Sequence, residues 1–428
     1  TLCCLLNSSA FGLLVSVQLA RVELAQSFEV GLVQKTPIPT LSASQRTDLA
    51  RLARRAWSFK RRLDTTTETS HAFVLPAALR GRLGDYDPSA IKAELRRIQT
   101  EIDAMAFDLY GFSEADRRAA QTGDEAPDAD DDDDEPASEA PPLDGLLSWA
   151  VGVCFGRFDW RLATGEREPP SEPEPFDPLP ARSPGMLPEG AEPFHRHPGI
   201  LVDDRGHAHD LPRLMEAVLA RVEAPVEREL RRWLRKDFFK YHLQRYSRSR
   251  RKAPIYWPLY TASGDYTLWL YYPQLTSQTL FIAVNDFVEP KLRQVQQDMA
   301  ALRGTGSRTS QQERQLEALT DLEADLAELR DTLLRIAAGY KPDQDDGVQI
   351  TAAPLWLLFR HKPWQKVLKE TWEKLQAGEY DWAHLAMAYW PDRVRDKCRT
   401  DKSLAIAHDL EHLYEEPELE SRTTGRSR

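Results

Sequence analysis

The chain has 428 residues, 41% of them hydrophobic, and a formal net charge of -11. That length exceeds one ordinary core and predicts two or three domains of roughly 150 residues each. Its cysteines (Cys3, Cys4, Cys154 and Cys398) lack the paired spacing of a zinc site and are too few for a disulfide framework. This composition excludes a disulfide-stapled secreted fold and predicts a reducing, cytoplasmic location.

The chain opens with an apolar run, "LCCLLNSSAFGLLVSVQLA". No basic segment precedes it, which argues against a signal peptide, and Gln18 and Arg21 interrupt it before the roughly 20 residues of a membrane span. We expect a buried helix with no membrane role.

Residues 43–120 are predicted to form a helical domain. Their clearest helix carries an apolar stripe with alternating spacings of four and three: Ile91, Leu95, Ile98, Ile102, Met105 and Leu109. Asp87 is suited to cap this helix, Pro88 to its first turn, and Gly111 to its end.

Two breaks follow. Residues 121–142 hold ten acidic residues and no basic one, which predicts a disordered linker. An acidic arm that competes with DNA for a basic patch is the alternative. Residues 143–212 are predicted to be an irregular connector, because 166–198 contain ten of the 29 prolines.

Residues 213–289 combine basic and aromatic character. Between Arg228 and Lys252, eleven Lys or Arg residues stand against Glu229 and Asp237. This density favours phosphate backbones, and the interleaved aromatic rings could stack on bases. The alternative is a helix whose basic side is merely solvated while its apolar face is buried through Leu230, Trp233, Leu234 and Phe238.

The strand signal follows directly. "APIYWPLYT" and "YTLWLYYP", separated by "ASGD", predict a β-hairpin, and "TLFIAVNDF" is a candidate third strand. Two heptad stripes on either side of Gly304 and Gly306 then predict an antiparallel coiled-coil hairpin over 290–338.

The remainder is predicted to be a helical region over 339–415 and a disordered tail over 416–428. One helix of that region has an apolar face formed by Trp364, Val367, Leu368, Trp372 and Leu375. The fold class expected is therefore α+β and mainly helical, with a small antiparallel β region and a long antiparallel helical hairpin.

Catalytic patterns are weak. "HDLEH" at 408–412 fits an inverted zinc-protease motif only if it is helical. The pairs His195/His197 and His207/His209 border a connector and a turn. Asp265, Glu289 and Lys291 fit a metal-nuclease triad poorly, because Pro290 lies inside it. The sequence has no glycine-rich phosphate loop and no Asn-Pro-Pro-Tyr or Asp-Pro-Pro-Tyr motif.

Several blocks together resemble one family. "YSRSRRKAPIYWPLYTASGDYTLWLYY", "TLFIAVNDFVEPKL", "GILVDDRGHAHD" and "DGVQITAAPLWLLFRHKPWQKVLKETWEKLQAGEYDWAHLAMAYWPDRV" are similar to the C-terminal region of large adenine-specific DNA methyltransferases, of the phage-exclusion (BREX) kind and related type IIG restriction enzymes. "LLNSSAFGLLV" and "VGLVQKTPIPTL" resemble the end of a target-recognition domain, here residues 1–42.

The resemblance implies a DNA-engaging tail with double-stranded DNA as its partner. The S-adenosylmethionine site and the catalytic motif would precede Thr1, so this chain alone is expected to be non-catalytic, without catalytic residues, metal or cofactor. The residues expected to contact phosphates are Lys240, Arg245, Arg248, Arg250, Arg251 and Lys252, with Tyr256 or Trp257 packing or stacking beside them.

Two other classes stay open. The coiled-coil hairpin could make the chain an interaction scaffold for other subunits of a defence system. An independent nuclease would depend on Glu289 and Lys291.

Overall fold

The protein is described by a computed structural model covering residues 1–19, 30–123, 142–248 and 251–416. It forms two compact units, Thr1–Pro193 and Phe194–Arg428. The fold is mainly helical α+β with a small antiparallel sheet, which confirms the expected class. Most of the acidic stretch at 121–142, and the tail at 416–428 apart from Glu416, lie outside the described residues.

The first unit is built from helices: α1 (Leu2–Leu6), α2 (Ser9–Leu19), α3 (Val30–Lys35), α4 (Ala43–Asp64), α5 (Ala77–Arg80), α6 (Pro88–Tyr110), α7 (Glu114–Gly123), α8 (Pro142–Cys154) and α9 (Arg161–Thr164). The prediction for α6 is confirmed. The Asp87 side chain accepts from the backbone nitrogens of the first turn, and Gly111 ends the helix in the left-handed conformation at φ 66°.

The region expected to be irregular is only partly so. Helix α8 covers its first part and is deeply buried, with Trp149 fully enclosed, and α9 (Arg161–Thr164) and the strand Ile200–Val202 also lie within the region. Residues 166–198 contain no helix or strand, as their prolines predict. Proline density therefore located the connector, while the apolar run before it formed a core helix.

The second unit contains the sheet and the remaining helices: β1 (Ile200–Val202), α10 (Leu211–Arg221), α11 (Leu230–Trp233), α12 (Phe239–Arg245), β2 (Ser247–Arg248), β3 (Arg251–Lys252), β4 (Tyr256–Tyr260), β5 (Thr267–Tyr271), α13 (Thr279–Ile282), α14 (Glu289–Arg303), α15 (Ser310–Ala337), α16 (Gly347–Ala352), α17 (Lys362–Ala377), α18 (His384–Tyr389), α19 (Pro391–Cys398) and α20 (Lys402–Ala407). Two π-helical segments, Leu234–Phe238 and Ala283–Val288, join α11 to α12 and α13 to α14.

The predicted hairpin is confirmed, but the predicted third strand is wrong. Strands β4 and β5 pair antiparallel with Tyr256 opposite Tyr271, and β1 completes the sheet in the order β1-β5-β4. "TLFIAVNDF" instead forms α13 and the π-helical segment after it. A short buried apolar run has the same composition in a strand and in a core helix, so periodicity could not separate them.

The helical hairpin is formed by α14 and α15. Glu289 pairs with Arg330 at 3.5 Å, and Gln296 donates to Glu323 at 2.8 Å, so the two helices run antiparallel. Their base belongs to the main core of the unit through Leu292, Val295, Met299, Leu326, Leu329 and Leu333. The hairpin is thus rooted in the core, and only its outer part projects from it.

Helix α17 carries the predicted apolar face. Trp364, Leu368 and Leu375 are fully buried in the core of the second unit. Among the described residues, no helix combines the length and the apolar character that crossing a membrane requires.

Candidate nucleic-acid interface

The basic segment folds as one helix (residues 230–245, the basic helix) followed by the short β2–β3 ribbon. Its apolar face is buried through Leu230, Trp233, Leu234 and Phe238, as one of the two sequence interpretations expected. Arg232, Lys236 and Lys240 lie on the exposed part of this helix. Because the π-helical segment Leu234–Phe238 lies between Arg232 and Lys240, the spacing of four residues does not by itself align their side chains, and what the three share is their exposure.

Some of its arginines are paired with carboxylates of the same chain. Arg231 forms ion pairs with Asp203 and, at 2.9 Å, with Asp210. Arg235 pairs with Asp203 at 2.6 Å, and Arg228 pairs with Asp237 at 2.9 Å. These side chains anchor the helix, so the count of eleven basic residues overstates the charge presented to a ligand.

Five of the other eight basic residues make up what we call the cationic surface: Arg232, Lys236, Lys240, Arg251 and Lys252. Arg251 is exposed and Lys252 half-buried. Within the described parts of the chain, none of the five has a carboxylate at ion-pair distance. Uncompensated cations at a protein surface attract polyanions.

A residue that sequence reasoning missed, His361, lies beside this surface. Its ring contacts Phe239 of the basic helix at 5.8 Å between centroids. Burial lowers the pKa of His361, and the nearby charges of Lys252 and Lys240 lower it further. The basic helix, β3 and the start of α17 therefore converge, although they are far apart in sequence.

The other predicted phosphate contacts differ in their setting. The Arg245 guanidinium lies 5.7 Å from the centroid of the Tyr241 ring and is half-buried. The backbone of Arg248 pairs with Arg251 across the β2–β3 ribbon. Arg250 lies outside the described residues.

The two predicted aromatic contacts need correction. Tyr256 and Trp257 are both fully buried, at 0% exposure. Tyr256 stacks on Tyr271 with centroids 5.4 Å apart, and Trp257 donates its indole N–H to the Pro254 carbonyl at 2.7 Å. Both rings pack in the core of the sheet, so neither presents a face on which a base could stack.

The loop between β1 and α10 holds the basic helix in place through ion pairs. Besides the Arg231 and Arg235 pairs, its Asp204 carboxylate accepts from Lys291 of α14 at 2.6 Å. In the same place His195 and His209 share a hydrogen bond of 2.7 Å, and the rings of His207 and His209 lie against Phe287. The two weak histidine pairs of the sequence thus form one cluster.

Burial is the main cause that lowers the pKa of His195, His207 and His209. The Arg213 charge lowers the pKa of His195 and His209 further, whereas on His207 the Asp204 charge opposes the effect of burial and the Lys291 charge adds to it. This environment keeps the imidazoles neutral at ordinary pH.

The structure does not bring together the residues of the zinc-protease and nuclease patterns considered in the sequence. His408 and His412 do not share a helix, because α20 ends at Ala407 and Asp409 has a φ of 55°. Glu289 is occupied by Arg330 and Lys291 by Asp204. Among the described residues, no group of three or more His, Cys, Asp or Glu side chains is arranged to hold a metal ion.

In comparisons with known proteins, no family model matched the sequence, and no curated protein matched it either.

Proposed function

We propose that this chain binds double-stranded DNA through the cationic surface, as the C-terminal, target-recognition portion of an adenine-specific DNA methyltransferase from a restriction-modification or phage-exclusion system. The observation that carries the DNA part is the set of five cations without a carboxylate at ion-pair distance, of which Lys240 and Lys252 both lie close enough to His361 to act on its pKa. The methyltransferase part is supported by the sequence blocks described above.

The physical basis of binding is counterion release. Each phosphate neutralised by a Lys or Arg contributes about -0.9 to the slope of log affinity against log salt concentration. Five such contacts give a slope of about -4 to -5. This surface supplies affinity and orientation, whereas base sequence is read by other groups in the DNA grooves.

The methyl donor has no assigned place in this chain. No residue of the sequence matches a glycine-rich loop or an Asn-Pro-Pro-Tyr motif, and we assign no residue to S-adenosylmethionine. In the proposed protein, flipping and methylation of adenine belong to the part of the polypeptide that would precede Thr1. The four free thiols are consistent with a cytoplasmic location, which is part of the proposal.

The test measures how the affinity of the purified full chain for a DNA duplex depends on salt concentration. Fluorescence anisotropy of a labelled duplex reports the binding. Lys240→Gln/Lys252→Gln should reduce the magnitude of the slope by about two. The matched control is Lys366→Gln/Lys369→Gln, because these lysines pair with Glu370 and Glu373 on α17. Equal slopes for the two double variants would reject the cationic surface as the DNA site.

A second candidate function is a docking role for the outer part of the helical hairpin in a defence complex. It is favoured by Leu316, Leu319 and Leu322, which are only partly buried, unlike the leucines at the base. Deleting 290–338 would remove core residues and unfold the unit, so the informative variant shortens only the tip around Gly304 and Gly306. Retention of every co-purifying subunit by that variant argues against the docking role.

A further inference from the structure

Helix α4 of the first unit is a second basic helix, which the sequence analysis did not single out. Its 22 residues include seven Lys or Arg and two Asp, in a chain whose net charge is -11. A capping box fixes its start, because the Ser42 hydroxyl accepts from the Gln45 backbone and the Gln45 side chain accepts from the Ser42 backbone.

One face of α4 is committed to the core. Leu49 and Leu52 are buried and form a cluster with Ile98 and Ile102 of α6 and with Cys4 and Leu5 of α1. Ala53, Ala56 and Phe59 pack against the same cluster. The orientation of the helix is therefore fixed, and so is the side that it turns outward.

Four of its cations are used locally. Arg55 pairs with Glu94, Arg61 with Glu172 at 2.9 Å, and Arg51 with Asp48 at 3.5 Å. Arg62 donates to the Asp85 carbonyl at 3.1 Å. The rest, Arg46, Arg54 and Lys60, are exposed, and in the described parts of the chain none has a carboxylate at ion-pair distance, although Asp64 lies one turn after Lys60 and interacts with its charge.

These three cations share one side of the helix with an aromatic ring. At 3.6 residues per turn, Arg46, Arg54, Trp57 and Lys60 fall within about 120° of one another. Trp57 is partly exposed and does not belong to the cluster that buries Leu49 and Leu52. An indole among exposed cations is a common combination at surfaces that bind nucleic-acid backbone.

We infer that this side of α4 is a second nucleic-acid contact, in which Arg46, Arg54 and Lys60 bind backbone phosphates and Trp57 packs against the adjacent sugar. The inference rests on the proposed function for the identity of the ligand, and its residues are independent of the cationic surface. A membrane fits less well, because an interfacial helix needs a broad exposed apolar face, and the apolar face of α4 is turned into the core.

The experiment compares two double variants of the full chain, each of which removes two arginine charges from α4. Arg46→Gln/Arg54→Gln removes exposed cations, and Arg51→Gln/Arg55→Gln removes ion-paired ones. Affinity for a labelled duplex is measured between about 50 and 200 mM salt. We expect the first variant to reduce the slope by about two and the second by less than one. Circular dichroism confirms that both remain folded.

The outcomes separate this inference from the proposed function. Suppose that Arg46→Gln/Arg54→Gln keeps the wild-type slope, while the magnitude of the slope falls by about two in Lys240→Gln/Lys252→Gln. In that case α4 is not a contact, and the proposed function stands. The reverse result leaves α4 as the contact and rejects the cationic surface. An equal decrease of the slope in the two α4 variants also overturns the inference. Binding to polyglutamate with the same salt dependence overturns it as well, because that result indicates an acidic polypeptide as the ligand. A wild-type chain that binds no duplex overturns both.

Discussion

The carboxylate of Asp203 lies 2.6 Å from the Nε of Arg235 and also pairs with Arg231, which ties the end of β1 to the basic helix. The Asp203 side chain is only 1% exposed. A nearly buried acid between two arginines holds the helix so that Arg232, Lys236 and Lys240 remain on the outside.

Asp203→Ala should lower the free energy of unfolding by about 1–3 kcal/mol, because it removes the buried carboxylate that accepts from both Arg231 and Arg235, although Arg231 keeps its pair with Asp210. Urea denaturation measures the change. The control is Asp237→Ala, because the Asp237 side chain is 53% exposed and the loss of its pair with Arg228 should cost about 0–1 kcal/mol. Similar costs for the two variants would mean that the Asp203 pairs do not hold the helix.

The histidine cluster should make the fold sensitive to acid. Because the pKa values of His195 and His209 are lowered below the ordinary 6.5, the unfolded chain takes up protons first as pH falls through that value. Stability is therefore full above pH 6.5 and decreases below it. The neighbouring charge of Arg213 lowers both pKa values further.

Thermal melts over this pH range test the cluster. His195→Gln/His209→Gln should lose less stability on acidification than the wild type, whereas His71→Gln, at an exposed site, should follow the wild type. If the double variant and the wild type lose equal stability, other groups control the acid response.

Trp257 should act on stability and not on DNA binding. Trp257→Phe leaves a small cavity and removes the indole hydrogen bond to Pro254, which should cost about 1–3 kcal/mol. The salt slope of duplex binding should stay unchanged in conditions where the variant is folded. A reduced slope would mean that the Trp257 side chain does contribute to DNA binding.

Two glycines should respond in opposite directions to alanine. A Cβ at Gly185 would overlap the Val74 carbonyl oxygen and lie 2.9 Å from its carbon, so Gly185→Ala should destabilise by about 1–3 kcal/mol. A Cβ at Gly12 in α2 meets nothing within 4 Å, and Gly12→Ala should stabilise by up to about 1 kcal/mol. Denaturation curves of the two single variants decide the signs.

The sequence by itself determined the elements whose signals are local. Helix α6 follows from its apolar stripe, its Asp87 cap and its Gly111 end, and the β4–β5 hairpin follows from two aromatic strands around "ASGD". These features depend on neighbours a few residues away, so a single chain segment contains the information.

Only the tertiary structure decided which basic residues face outward. Asp203 and Asp210, distant in sequence, neutralise Arg231 and Arg235, while Lys240 and Lys252 meet near His361. Likewise, "TLFIAVNDF" became helical because it packs into the core that continues into α14. Charge compensation and burial depend on partners brought together by folding, and no local pattern of residues encodes them.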